Sequence, residues 1–556
     1  MKRNRLLYAL TLVFLLASCG QAFIKPVSPA GSDREIYAQF EAKLEYLRQE
    51  LKIPGFSAAI VKDQVLVWAK GFGYADLDPD DPVQATPNTP YRLASVTKPI
   101  AATLIMGLVE EGVLDLDDPI SEYGVDLQGE GVIRVRHLLT HTSEGIPGTH
   151  HDYNGDRYGL LGAVVEGATG VSFRELLRER ILEPLKMVNT APNYSQCEVA
   201  RYLASSDLEL DRIDARVNRE LARPYQLDPS YKVVEGAYPS GFSPAAGLIS
   251  TVLDLAKFDI ALDQNVLLAQ ETKEEMFAPA FSTHGDRTDL MYGLGWYTQE
   301  YQDIRLIWHS GRWPPSVSAL YLKAPDENIT FIILANTAHL TTPFPLGDGD
   351  VLYSTLALTF YETFLFPRKF GKDVPEMDWT ADVAELVERL EQIGDDDVRS
   401  ILERELWSYR QLFASVGRSD ETRRLRNLHR KAYPNSRVSD LDQYTFDGVE
   451  YYPSAAGEIE LSEAELGRFV GALELDQWEE VAAGAVPPEI SLELVNGKLI
   501  ATAPGDTCIS MVPVAPTRFA IPENPGLFLE IHMEGDELQE MALEVGGMVA
   551  AVYRPK

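Results

Sequence analysis

A serine and a lysine stand three positions apart in Ser95-Val96-Thr97-Lys98. On a helix that spacing puts both side chains on one face, one turn apart, where an amine can take the hydroxyl proton. A serine at a helix start also gains free N–H groups and the helix dipole, which stabilise a developing anion. The chemistry would be nucleophilic attack on a carbonyl. Alone the pattern is weak, because ordinary residue usage yields roughly one or two matches in a chain this long. Rival chemistries are visible too. His137 and His141 are four apart and His150 adjoins His151, spacings that invite zinc. Asp76-Leu77-Asp78-Pro79-Asp80-Asp81 resembles half a calcium loop, but Pro87 stands where a closing Glu is needed, so a solvated turn is expected. Gly241-Phe242-Ser243 fails as a nucleophile elbow because Ala245 replaces its second glycine.

The surrounding elements must hold such groups in place. Ser32-Asp33-Arg34-Glu35 is a capping box that opens a helix. Ile36, Phe40, Leu44, Leu47 and Leu51 then recur at helical spacing, and Pro54-Gly55 is expected to stop it. Residues 56–61 and 65–69 read as a hairpin around Lys62-Asp63-Gln64. An apolar helix follows over residues 94–112, with Ile100, Leu104 and Leu108 facing the core. Strands are expected at 318–323 and 329–334, and a closing helix at 351–365. This order predicts an α/β (α+β) fold: an antiparallel sheet flanked by helices, its sequence-distant ends paired in space. Residues 367–455 are charge-rich with helical spacing, as in Val383, Leu386, Val387 and Leu390, and read as a helical connector. Residues 460–556 turn to short strands with Asn496-Gly497, Pro504-Gly505 and Gly546-Gly547 turns, a small antiparallel barrel.

The 556 residues carry 50 Lys+Arg against 84 Asp+Glu, a formal charge of −34. So acidic a chain repels phosphate backbones, which argues against a nucleic-acid partner. Hydrophobic residues make up 45%, enough for a sizeable core and too many for a disordered chain. Lys2, Arg3 and Arg5 precede an apolar run at 6–16 and then Leu16-Ala17-Ser18-Cys19, the pattern of a secretory signal over residues 1–19, with a linker at 20–34. Eleven apolar positions fall short of the roughly 20 that span a bilayer. The Leu-Ala-Ser-Cys stretch resembles a bacterial lipobox, which implies lipidation at Cys19, a membrane anchor and an outer-membrane location. Cys197 and Cys508 remain, and without a Cys-x-x-Cys pair no thiolate metal site is expected.

Six motifs occur in order: Tyr91-Arg92-Leu93-Ala94-Ser95-Val96-Thr97-Lys98, His137-Leu138-Leu139-Thr140-His141-Thr142-Ser143, Tyr153-Asn154-Gly155 with Tyr158 and Leu160-Leu161-Gly162, Ala246-Gly247-Leu248-Ile249-Ser250-Thr251, Tyr292-Gly293-Leu294-Gly295-Trp296, and His309-Ser310-Gly311. Together they resemble the serine β-lactamase-related hydrolases, which span class C β-lactamases, D,D-peptidases and esterases. The resemblance covers residues 35–366 and implies a β-lactamase/transpeptidase-like fold without cofactor. It implies Ser95 as nucleophile, Lys98 as the partly buried amine whose proton affinity desolvation lowers so that it helps take the Ser proton, and Tyr153 as a proton shuttle. Tyr153 would act as a base only if neighbouring cations such as Lys98 lowered its pKa. His309-Ser310-Gly311 would line the carbonyl pocket, and the N–H groups of Ser95 and Arg312 would form an oxyanion hole. His137 and His141 would be packing residues that need no metal.

One departure bears on substrate. Gly155 stands where this family carries an amide; Asn154 would substitute for contacting substrate only after a one-residue slip, which the frame of Tyr158 and Leu160-Leu161-Gly162 argues against. The resemblance therefore implies a small ester or D-amino-acid peptide as substrate more than a β-lactam antibiotic. A catalytically silent lipoprotein that binds peptidoglycan or a partner is the alternative. The segment opening at Leu466-Gly467-Arg468-Phe469-Val470-Gly471 resembles the lipocalin-like domain appended to such hydrolases.

Overall fold

The computed structural model describes residues 33–127, 130–194, 212–236, 241–285, 287–434 and 461–478, then further barrel segments up to 555. The readings placed on residues 1–19, on Cys19 and on Cys197 lie outside the described residues. Nine antiparallel strands form the main sheet. Their order is Val83–Gln84, Val65–Asp76, Gly55–Lys62, Ile329–Ala335, Val317–Ala324, Ile304–Trp313, Tyr297–Tyr301, Leu290–Tyr292 and Phe281–Ser282. The expected hairpin and the two expected C-terminal strands are the centre of this sheet. Phe56 pairs with Ala335 and Lys62 with Ile329, so the sequence-distant ends do meet.

Both faces of the sheet are covered, and the strand sequences show why. Phe56, Ala58 and Ile60 belong to one buried cluster, whereas Ala59 and Val61 belong to another. Phe331 and Ile333 likewise alternate with Ile332 and Leu334. Side chains alternate across a strand, so a strand buried on both sides must read as a continuous apolar run. The first face carries the helix Asp33–Glu50 through Phe40, Leu44 and Leu47, and the helix Thr355–Phe360 through Leu356 and Phe360. The second face carries Thr97–Glu110 through Ile100, Leu104 and Ile105, and Val252–Asp263 through Leu255 and Phe258. The first helix ends at Glu50, before the expected Pro54-Gly55 stop, with Lys52 at φ 52° turning the chain. Gly55 serves close approach instead: a Cβ there would lie 2.1 Å from the Tyr74 carbonyl oxygen.

The expected connector needs correction. Helices Val383–Glu391, Asp396–Ser415 and Ser419–Ala432 are present, but they do more than link. Their Leu386, Leu390, Ile401, Leu402, Leu412, Leu425 and Leu428 are buried in the same cluster as the first face of the sheet. Arg404 donates to Asp350 at 2.6 Å, and Asp350 accepts from Gln299 at 2.7 Å, tying the long helix to the sheet. The charge-rich surface of these helices hid a stripe of leucines that completes the core. Beyond them, eight strands from Gly471–Trp478 to Met548–Pro555 close into an antiparallel barrel, as expected. Leu473, Leu499, Phe519, Ile531, Met541 and Tyr553 form its separate buried core. Among the described residues no helix is long and apolar enough to cross a membrane.

Candidate active site

Ser95 lies where the 3-10 turn Ala94–Val96 runs into the helix Thr97–Glu110. Ala94 adopts φ 45°, a left-handed conformation unusual for a residue with a Cβ. Neighbouring bonds hold the turn. Thr97 Oγ1 donates to the Ala94 carbonyl at 2.7 Å and accepts from the Leu248 N–H at 3.1 Å. The Leu93 N–H donates to the Leu248 carbonyl at 2.8 Å. Ser95 is the only partly accessible residue between Leu93 and Ile100.

Lys98 is 1% exposed, and its Nζ donates to Ser95 Oγ at 3.1 Å and to the Ala245 carbonyl at 3.0 Å. Its ammonium lies 4.8 Å from the Tyr153 ring centre and 5.2 Å from that of Tyr158. Burial lowers its pKa to about 7, although Asp156 pulls the other way. An amine so placed is substantially unprotonated at neutral pH and can act as a base. Tyr158, fully buried, donates its hydroxyl to the Lys98 carbonyl at 3.2 Å and braces the helix from below.

The Tyr153 ring lies 4.8 Å from the same Lys98 amine that donates to Ser95 Oγ, so the three expected groups do converge. The conditional expectation that Lys98 would lower the phenol's pKa does not hold. Burial raises it and the influence of Ser95 only partly offsets this, so Tyr153 remains a neutral phenol. At 37% exposed, the residue also borders solvent. Of the pair, Lys98 is suited to accept a proton and Tyr153 to donate one.

The Ile304–Trp313 strand forms one wall. Tyr297 pairs with Trp308, and the strand beyond that point is paired only with Val317–Ala324. A Cβ on Gly311 would lie 2.1 Å from the Leu93 carbonyl oxygen, so glycine lets this strand meet the Ser95 turn. His309 is buried; its Nδ1 faces the Ser310 carbonyl at 2.6 Å and its Nε2 the Tyr292 hydroxyl at 3.0 Å. A proton on Nδ1 and donation from Tyr292 satisfy both contacts. Burial and then the Lys98 charge lower the His309 pKa to about 3, so it is neutral. Ser310 is half-buried, and Arg312 is exposed with its Nε donating to Thr342 at 3.3 Å.

Asn154, expected beside the substrate, is engaged within its own loop. Its Oδ1 accepts from the Arg157 N–H at 2.9 Å as a helix cap, and its Nδ2 donates to Glu144 at 2.6 Å. One N–H and one oxygen lone pair of the amide thus hold its own loop. Gly155 opens the short helix Gly155–Gly159, with no heavy atom within 4 Å of where a Cβ would stand. His137 Nδ1 accepts from the Arg134 N–H at 3.2 Å, a capping role. The acidic run is a turn in which Asp76 and Asp78 each accept from an N–H two residues on.

Two contributors were missed. The Ala245 carbonyl belongs to a tight turn in which the Ser243 hydroxyl accepts from the Ala245 N–H at 3.2 Å. It sits one residue ahead of the recognised Ala246-Gly247 motif, but a backbone acceptor has no side-chain signature. His141 packs its ring on Tyr153 at 4.1 Å between centroids, although it was read only as a packing residue.

Residues 40–352 match the family described as beta-lactamase. The chain belongs to that family of serine hydrolases. It is 26% identical over 357 residues to penicillin-binding protein 4* of Bacillus subtilis (strain 168), covering 56% of this chain and 72% of that protein. It is 27% identical over 340 residues to protein flp of Staphylococcus aureus (strain MW2), covering 54% of this chain and 62% of that one. The fold is similar to that of the octameric penicillin-binding protein homologue from Pyrococcus abyssi. That likeness has TM-score 0.50 and 20% identity, and covers 93% of this chain and 100% of that one.

Proposed function

We propose that this hydrolase forms an acyl-enzyme at Ser95 and hydrolyses a small ester or a D-configured peptide or amide. The observation that carries the reading is the Ser95 hydroxyl bonded to the buried Lys98 amine, with the Tyr153 ring 4.8 Å from that amine. Unprotonated Lys98 takes the Ser95 proton as Oγ bonds to the carbonyl carbon. The N–H groups of Ser95 and Arg312 are the proposed donors to the resulting oxyanion. When the tetrahedral centre collapses, Tyr153 protonates the leaving alcohol or amine and recovers its proton from Lys98. Water then releases the acid by the same steps in reverse. Likeness to proteins named for penicillin binding supports the amide side. The bare Gly155 makes β-lactam hydrolysis the less favoured reading.

A fluorophosphonate probe should add one adduct, mapped to Ser95, and Ser95→Ala should abolish both the adduct and ester turnover while the protein stays folded. A folded wild-type protein that takes no label would instead support the silent binding lipoprotein. Rates on p-nitrophenyl esters, D-alanyl peptides and nitrocefin then separate the substrate classes. The same proposal includes an envelope location through lipidated Cys19 and a lipocalin-like stabilising role for the barrel.

A further inference from the structure

His141 touches every part of the segment that carries Tyr153. The Asp152 N–H donates to the His141 carbonyl at 2.7 Å, and the Asn154 N–H donates to His141 Nδ1 at 3.1 Å. Between these two bonds, the Tyr153 ring lies on the imidazole at 4.1 Å with an interplanar angle of 30°. The grip itself is held firmly. His141 is 2% exposed, takes φ 54°, and its ring is packed by Tyr158 at 5.1 Å and Tyr292 at 5.2 Å.

We propose that His141 is the positioning residue that fixes the Tyr153 phenol beside Lys98 and Ser95, an inference that rests on the acyl-enzyme reading above. A bare packing residue would need only its ring. Here the ring nitrogen is used as well, because accepting the Asn154 N–H requires Nδ1 without a proton. Burial keeps the imidazole neutral and the acceptor available. Phe would supply the stacking surface without the acceptor, and Asn an acceptor near the Nδ1 position without the ring.

Turnover of an ester should be compared in wild type, His141→Phe, Tyr153→Phe and the double variant, with Ser95→Ala as control. His141→Phe should lose about tenfold or more in kcat, the scale expected when a reacting group is misplaced, with KM little changed. Ser95 should still take the fluorophosphonate label. The double variant should be no slower than Tyr153→Phe alone, since His141 acts only through that phenol. Losses that multiply, or wild-type kcat in His141→Phe, would overturn the proposal. If His141→Phe does not fold, His141→Asn replaces it in the same comparison, with the same two outcomes decisive. Full turnover in Ser95→Ala would instead remove the acyl-enzyme reading itself.

Discussion

Lys98 gains its chemistry from where it is buried. Tyr153, Tyr158, His141 and His309 surround the amine with neutral groups, and Asp156 is the carboxylate that acts on it. A base must be unprotonated to work, so the rate of Ser95 acylation should rise with pH through about 7 and level off above it. Asp156→Asn removes an influence that favours the protonated amine, so this limb should move to lower pH. The pH dependence of kcat/KM in the two proteins checks both statements. Lys98→Arg should not restore activity, because a guanidinium stays charged. Ser95, Lys98, Tyr153 and His309 were legible because each lies in an ordered motif. The lowered proton affinity of Lys98 was expected from desolvation, and burial does lower it. The raised pKa of Tyr153 was not legible, because it follows from burial that only the packed site produces. The fate of Asn154 was hidden for a related reason. Its amide could face substrate or cap its own helix, and the loop conformation decides.

At the scale of elements, continuous apolar runs such as Ile329–Ala335 marked the central strands because helices cover both faces. The helices after Pro367 were legible as helices but not as part of the core. Charge dominates their composition, and the leucines that dock are visible only once a sheet exists to receive them. A chain ending at residue 366 loses Leu386, Leu390, Ile401, Leu402, Leu412 and Leu428 from that core. It should therefore be insoluble or fail to label at Ser95. Large core truncations cost roughly 2–5 kcal/mol per side chain, against a total stability of only about 5–15. A chain ending at residue 434 keeps them and should melt cooperatively and label at the wild-type rate. Calorimetry and probe labelling of the two truncations distinguish a core element from a tether.

For the whole molecule, composition set broad limits and local patterns located the parts. The formal charge of −34 argued against nucleic acid. The closed barrel was legible in its short strands, and its buried core is separate from those of the main sheet, while the expected turns Asn496-Gly497, Pro504-Gly505 and Gly546-Gly547 lie outside the described residues. The proposed anchor is testable at this scale. Cys19→Ala should shift the protein from the membrane to the soluble fraction of cells, and an unchanged distribution would remove the lipid from the proposal.

The pairing of Lys62 with Ile329 has a consequence in time. Ser95 emerges from the ribosome early, but the strand bearing His309 and the partner of Gly55–Lys62 follow far behind. Contacts between such remote stretches form slowly, after the costly closure of a very long loop. The proposed nucleophile is thus made well before the strands that complete its site.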